Sequence, residues 1–184
     1  MIKTGIIGGH TMAAGELIRI LVNHPDVTIM WVSSPQETGR ELTAVHRGLE
    51  GDTDARFIGE PTADDAAGLD AVFLCGEPWE ARRFMELAGG AHELRVIDLT
   101  GAFRDGSEGM VYGLTEHNRK ALVRGATRAS LPSEVAMAAE LALFPLAKNM
   151  LLAGDIDISA SLASTVREHG AAAEAEGDLA ELST

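Results

Sequence analysis

The chain has 184 residues, 46% hydrophobic but only 4% aromatic, enough for one aliphatic-cored domain and the start of a second. With 15 basic against 28 acidic residues its formal net charge is -13, which excludes nucleic acid and anionic lipid as natural partners and obliges an anionic ligand to find a locally positive site. One cysteine, Cys75, excludes an intrachain disulfide, and the N-terminal apolar run is too short for a secretory signal. No stretch nears the ~18 apolar residues of a membrane span, so a soluble cytoplasmic protein is expected.

In chain order, "IKTGII" reads as a strand and Ala13 to Val22 as a helix with Leu17, Ile18 and Leu21 on one face. "NHPD" breaks it, and "VTIMWVSS" follows as a continuously apolar strand. Residues 35–68 are polar and rich in Gly, Asp and Thr. They predict a loop, one short strand around "ARFIG" and a poorly defined helix, with Asp64 and Asp65 as solvated charge. "DAVFLCG" is the next strand, and a helix from Trp79 to Ala88 ends at Gly89-Gly90. "LRVIDLTG" is a strand, "TEHNRKALVR" a short helix with Thr115 as N-cap, and "ATRASLP" a further strand. "SEVAMAAELALFPLAKNML" is helical, with Pro145 a kink or boundary, and "DIDISASLAS" returns to alternation. The acidic, Ala-rich end "REHGAAAEAEGDLAELST" reads as a surface helix or a disordered tail.

Repeated strand–helix–strand order with strands apolar on both sides predicts a doubly wound α/β fold, a parallel sheet with helices on both faces. Its first turn carries the chemistry. Gly8 and Gly9 sit at the strand end, where a backbone can approach a pyrophosphate and unpaired helix N–H groups face it; His10 and Thr11 add side-chain donors. The same residues also make a plain strand-to-helix turn that binds nothing. After the second strand stand Ser33, Ser34 and, shortly after, Arg40, with no acid expected to compete for a ribose. That pattern suits a 2′-phosphate better than a bare hydroxyl, although it also suits a polar loop.

Four blocks then resemble one family. "MIKTGIIGG…GELIRILVNHPDVTIMWVSS", "VFLCGEPWE", "VIDLTGAFR" and "VYGLTEHNR" are similar, in order and spacing, to stretches of N-acetyl-γ-glutamyl-phosphate reductases, over roughly Met1 to Ala163. The resemblance implies a Rossmann domain of the semialdehyde-dehydrogenase type. In that family a cysteine attacks an acyl phosphate, a thioester forms, NADPH delivers hydride, and a histidine from a second domain assists. It also implies a nucleotide site at Gly8, His10, Thr11, Met12 and Ala13, at Ser33, Ser34 and Arg40, and at Gly76.

The departures matter as much. The family's loop "GASGYTG" is Gly8-Gly9-His10-Thr11-Met12-Ala13-Ala14 here, so two glycines gain side chains where phosphate should approach. Ser34 replaces the family's arginine, and Ala102-Phe103-Arg104 replaces "DFR". The family's "NPGCYPT" corresponds to Leu131-Pro132-Ser133-Glu134-Val135-Ala136-Met137, so Glu134 takes the place of the cysteine and no catalytic residue is assigned. Cys75, ending an apolar strand beside Glu77, reads as buried and inert, with Glu77 raising its pKa. The six histidines lack metal-site spacing and, His10 apart, read as surface or capping groups. Arg104 and Arg119 read either as holders of a substrate carboxylate or as ion-pair partners of Asp98 and Glu116.

The expectation is therefore a dinucleotide domain over residues 1–150, with residues 151–184 as the start of a largely absent substrate domain or a surface tail. Weak NADP binding is expected, impaired reductase chemistry or else a non-catalytic nucleotide-binding or subunit-interaction module, and a homo-oligomer or partner subunit with no nucleic acid and no membrane.

Overall fold

The computed structural model describes residues 1–89 and 93–161. Its elements run β1 (Ile2–Ile7), α1 (Met12–Leu21), β2 (Val27–Ser33), α2 (Leu42–Val45), α3 (Ala63–Ala67), β3 (Ala71–Leu74), α4 (Pro78–Leu87), β4 (Arg95–Asp98), β5 (Val111–Tyr112), α5 (Thr115–Val123), β6 (Arg128–Ser130) and α6 (Glu134–Lys148). The six strands form one parallel sheet in the order β2-β1-β3-β4-β6-β5.

The period-2 pattern explains why helices cover both faces. Ile6, Val32 and Cys75 point to a cluster with Ala14, Ile18 and Leu21 of α1 and Leu42 of α2. Their strand neighbours Ile7, Trp31 and Leu74 point the opposite way, to Ala81, Phe84 and Met85 of α4. Gly5 marks a register shift between β1 and β2, because a Cβ there would lie 2.5 Å from the Trp31 ring. The chain turns one way from β1 to β2 and the other way to β3. The carboxyl ends of β1 and β3 therefore flank a switch point, where an open α/β sheet leaves its crevice.

Several expectations change. The apolar run of β2 is not buried on both faces: only Trp31, Val32 and Ser33 are buried, and Met30 is 50% exposed, because β2 is an edge strand. "ARFIG" forms two isolated bridges, Ser33–Ile58 and Glu41–Arg56, rather than a strand. Asp65 is not idle charge: its carboxylate accepts from the Thr62 amide and hydroxyl (both 2.7 Å), closing a capping box on α3. The N-cap of α5 is Leu114, and Thr115 is its first helical residue, the hydroxyl donating to Glu116. Pro145 lies inside α6. The described part of "DIDISASLAS", residues 155–161, has no regular structure and lies exposed, since an alternating segment needs a sheet edge or layer to pair with. The two-residue edge strand β5 escapes a sequence reading. Gly90 and the acidic tail lie outside the described residues.

Candidate functional site

Most residues implicated from sequence follow the carboxyl end of a strand; Ser33 closes β2 itself, while Arg40 and Arg119, the latter midway along α5, lie elsewhere. Gly8 leaves β1, Ser34 leaves β2, Cys75 and Gly76 leave β3, residues 99–104 leave β4, and Leu131 to Glu134 leave β6 for α6. Gly8 adopts φ +71°, and a Cβ on it would fall 2.0 Å from the Gly76 Cα, so the two backbones meet where the chain reverses. A Cβ on Gly9 would fall 2.1 Å from Val32 Cγ1, and one on Gly76 2.1 Å from Glu80 Oε2. These glycines are thus fixed by packing.

The two lost glycines are accommodated differently. Thr11 is the N-cap of α1: its Oγ1 accepts from the Ala14 amide (3.2 Å) and lies within donating distance of the Gly8 (3.1 Å) and Cys75 (3.0 Å) carbonyls. Its side chain is therefore spent on bracing the loop to β3. Ala14, at the third glycine's place, is fully buried against the sheet. Both added side chains are thus packed into the structure, although Thr11 still lines the cleft described next. Met12 and Ala13, exposed at the first turn of α1, present the amides that a helix start leaves unpaired.

A cleft of about 680 Å³ runs past this loop. Three helix starts line it: Thr11, Met12 and Ala13 of α1, Glu77 and Pro78 of α4, and Ser133 and Glu134 of α6. Arg104 lies on the same wall, its Nε donating to the Leu131 carbonyl (3.0 Å). Helix N-termini carry partial positive charge, and three of them meet at this cleft, but Glu16, Glu77 and Glu134 also line it, with Arg104 as the one Lys or Arg in the lining. Glu134, the first residue of α6, puts a carboxylate into that field. A second cavity of about 280 Å³ lies beside the β1 and β2 ends, lined by Ile7, Ser33, Pro35, Pro61, Trp79 and Phe84 among others.

The β2 end does not assemble as expected. Ser33 donates to the Gly59 carbonyl (2.8 Å), whereas Ser34 reaches His10 Nδ1 (3.1 Å) and Gln36 Oε1 (3.2 Å). An acid is present after all: Glu37, in the turn at Pro35–Glu37, pairs with Arg40. Arg40 lines neither cavity.

Cys75 is buried, and burial, with a further contribution from the charge of Asp98, pushes its thiol up to about 12. The carboxylate responsible is thus Asp98, not Glu77. Asp98 itself is fully buried and accepts from the Thr100 amide (2.9 Å) and hydroxyl (2.5 Å) and from Ser130 Oγ (2.6 Å). It ties the ends of β4 and β6 together and so places the turn into α6. A lone carboxylate inside the apolar run "LRVIDLTG" was a visible signal for such a knot. His46 gave no such signal; its Nε2 lies 2.7 Å from the Gly9 carbonyl, 37 residues away. Among the described residues no group of His, Cys, Asp and Glu could hold a metal ion.

Comparison with known proteins bears on this geometry. The family model "Semialdehyde dehydrogenase, NAD binding domain" matches residues 3–124. N-acetyl-γ-glutamyl-phosphate reductase of Bacteroides thetaiotaomicron is 40% identical over 167 residues, covering 90% of this chain and 51% of that protein. The protein of the same name from Flavobacterium johnsoniae is 39% identical over 172 residues, with the same coverage. The chain thus spans about half the length of the curated relatives it matches. Among solved structures, aspartate semialdehyde dehydrogenase with NADP from Candida albicans superposes with a TM-score of 0.62 at 16% identity, over 83% of this chain and 48% of that one. The enzyme from Francisella tularensis gives 0.60 at 15%, over 82% and 42%. At such identities the likeness is one of fold.

Proposed function

Because the chain belongs to the family of semialdehyde dehydrogenase NAD-binding domains, we propose that its crevice takes a nicotinamide dinucleotide, NADP over NAD and weakly, and that it does not reduce N-acetyl-γ-glutamyl phosphate. The nucleotide reading rests on fit. The Met12 and Ala13 amides would face the pyrophosphate, with Gly8 and Gly76 holding the backbone of the switch point. Ser34 and His10 would lie at the ribose, and the cavity beside Trp79 and Pro35 suits the adenine end. Arg40 would meet a 2′-phosphate only after leaving Glu37, which supports weak rather than tight binding. When bound, the nicotinamide supplies or accepts hydride.

The observation that carries the second half is Glu134 at the start of α6, on the cleft wall. Reduction of an acyl phosphate needs a nucleophile whose acyl adduct survives long enough to accept hydride. Attack by a carboxylate would give a mixed anhydride, which water cleaves, and the carboxylate repels an anionic acyl phosphate. Cys75 is no substitute, being buried with its thiol held protonated. Glu134 therefore favours a non-catalytic nucleotide-binding or subunit-interaction unit of reductase descent. The reverse assay, semialdehyde with NADP and phosphate followed by NADPH absorbance, tests it. No turnover above background is expected; turnover lost on Glu134→Ala would overturn it, as would turnover lost on Cys75→Ser.

We extend the reading to association. Leu141 and Leu146 of α6, with Met150 and Leu151 just beyond it, leave apolar surface exposed. Self-association or a partner subunit on that side is expected, and light scattering over a concentration series reads it. A clean monomer at high concentration, with no dye-accessible apolar patch, would contradict it.

A further inference from the structure

We infer that His46 is a positioning residue for the glycine loop, working as a wedge between that loop and the first turn of α1. The inference rests on the reading of the loop as a nucleotide site. A carbonyl oxygen only accepts, so the 2.7 Å contact with Gly9 means that His46 Nε2 carries the proton and donates. Gly9 otherwise donates its own amide to the Ser33 carbonyl (2.8 Å), so this residue is held from both sides, by β2 and by His46.

The opposite edge of the imidazole faces α1. A Cβ on Gly15 would fall 2.5 Å from His46 Nδ1 and 2.8 Å from Cε1, and Gly15 is buried. The ring also packs beside Phe57, with centroids 6.3 Å apart. Gly15 thus exists to admit the imidazole, and the imidazole sets the position of Gly9 and of the turn through His10 and Thr11 that delivers the α1 amides to the cleft. Glycines at positions 11 and 14 would have given close backbone approach and packing; this loop is instead held in place by side chains. Thr11 braces it to β3 and His46 braces it from the α2 side.

Two single changes attack the wedge from opposite sides. His46→Phe keeps a ring and removes the donor. Gly15→Ala leaves His46 intact, displaces it sterically, and by helix propensity alone would favour α1. His46→Gln retains an N–H donor. NADPH and NADH titrations, thermal melting and amide exchange over residues 8–14 are read on wild type and all three variants. Expected are about tenfold weaker nucleotide binding and faster exchange confined to residues 8–14 in His46→Phe and Gly15→Ala, with midpoints within a few degrees of wild type, and substantial recovery in His46→Gln. Unchanged affinity and exchange in His46→Phe would overturn the wedge, as would faster exchange spread over the whole sheet. If wild type binds neither nucleotide yet local exchange still rises in both variants, the wedge stands and the nucleotide reading falls.

Discussion

At the scale of single residues, the crevice is built by close approaches that only glycine allows and by polar groups that brace rather than react. Cys75 shows the contrast best. It stands at the end of a strand on the cleft wall, but burial, with the charge of Asp98, pushes its thiol up to about 12 and disfavours the thiolate at pH 8. Iodoacetamide at pH 8 is therefore expected to leave the native protein unmodified over an hour and to label it fully in denaturant; rapid native labelling would show an open, ionised thiol. Glu134, Gly8 and Gly76 were visible in the sequence, and the start of α1 was read one residue late, at Ala13 rather than Met12, because strand ends and turn glycines announce themselves locally. The roles of Thr11, Glu37 and His46 were not. Thr11 turned inward to Cys75, Glu37 folded back on Arg40, and His46 met Gly9, all choices made by packing across the chain.

At the scale of elements, long periodic segments such as β1, α1, α4 and α6 were readable, because burial repeats along them. What escaped was short or depended on partners: β5 has two residues and exists through its pairing with β6, and "ARFIG" lacks a neighbour for more than bridges. The five-residue α3 is a case in which end chemistry decides. Backbone and side-chain hydrogen bonds from Thr62 hold the Asp65 carboxyl below its ordinary range. A depressed carboxyl contributes stability above its unfolded pKa of about 3.9 and loses it as pH falls through the lower folded value. The stability difference between wild type and Asp65→Asn is therefore expected to be flat from pH 7 to pH 5 and to shrink below about pH 4. A difference that persists unchanged to pH 2 would mean that the ionised carboxylate does not matter to the cap. Because Asp65 is only partly buried, at the surface, the effect is expected to be small.

At the scale of the whole molecule, two opposed facts define the protein. The chain is acidic overall, and the cleft of about 680 Å³ collects three helix N-termini and Arg104 together with Glu16, Glu77 and Glu134. Such a chain repels anions generally, so the proposed dinucleotide would have to be held by backbone amides and Arg104 against the carboxylates beside them. No helix among the described residues is long and apolar enough to cross a membrane. Whether the proposed crevice still binds a nicotinamide dinucleotide despite the altered glycine loop is decided by calorimetric titration of the purified protein with NADPH and with NADH. Saturable one-site binding with weak affinity is expected, about 10 to 500 μM for NADPH, and several-fold weaker for NADH. No heat from either nucleotide at millimolar concentration, or tighter binding of NADH, would contradict it.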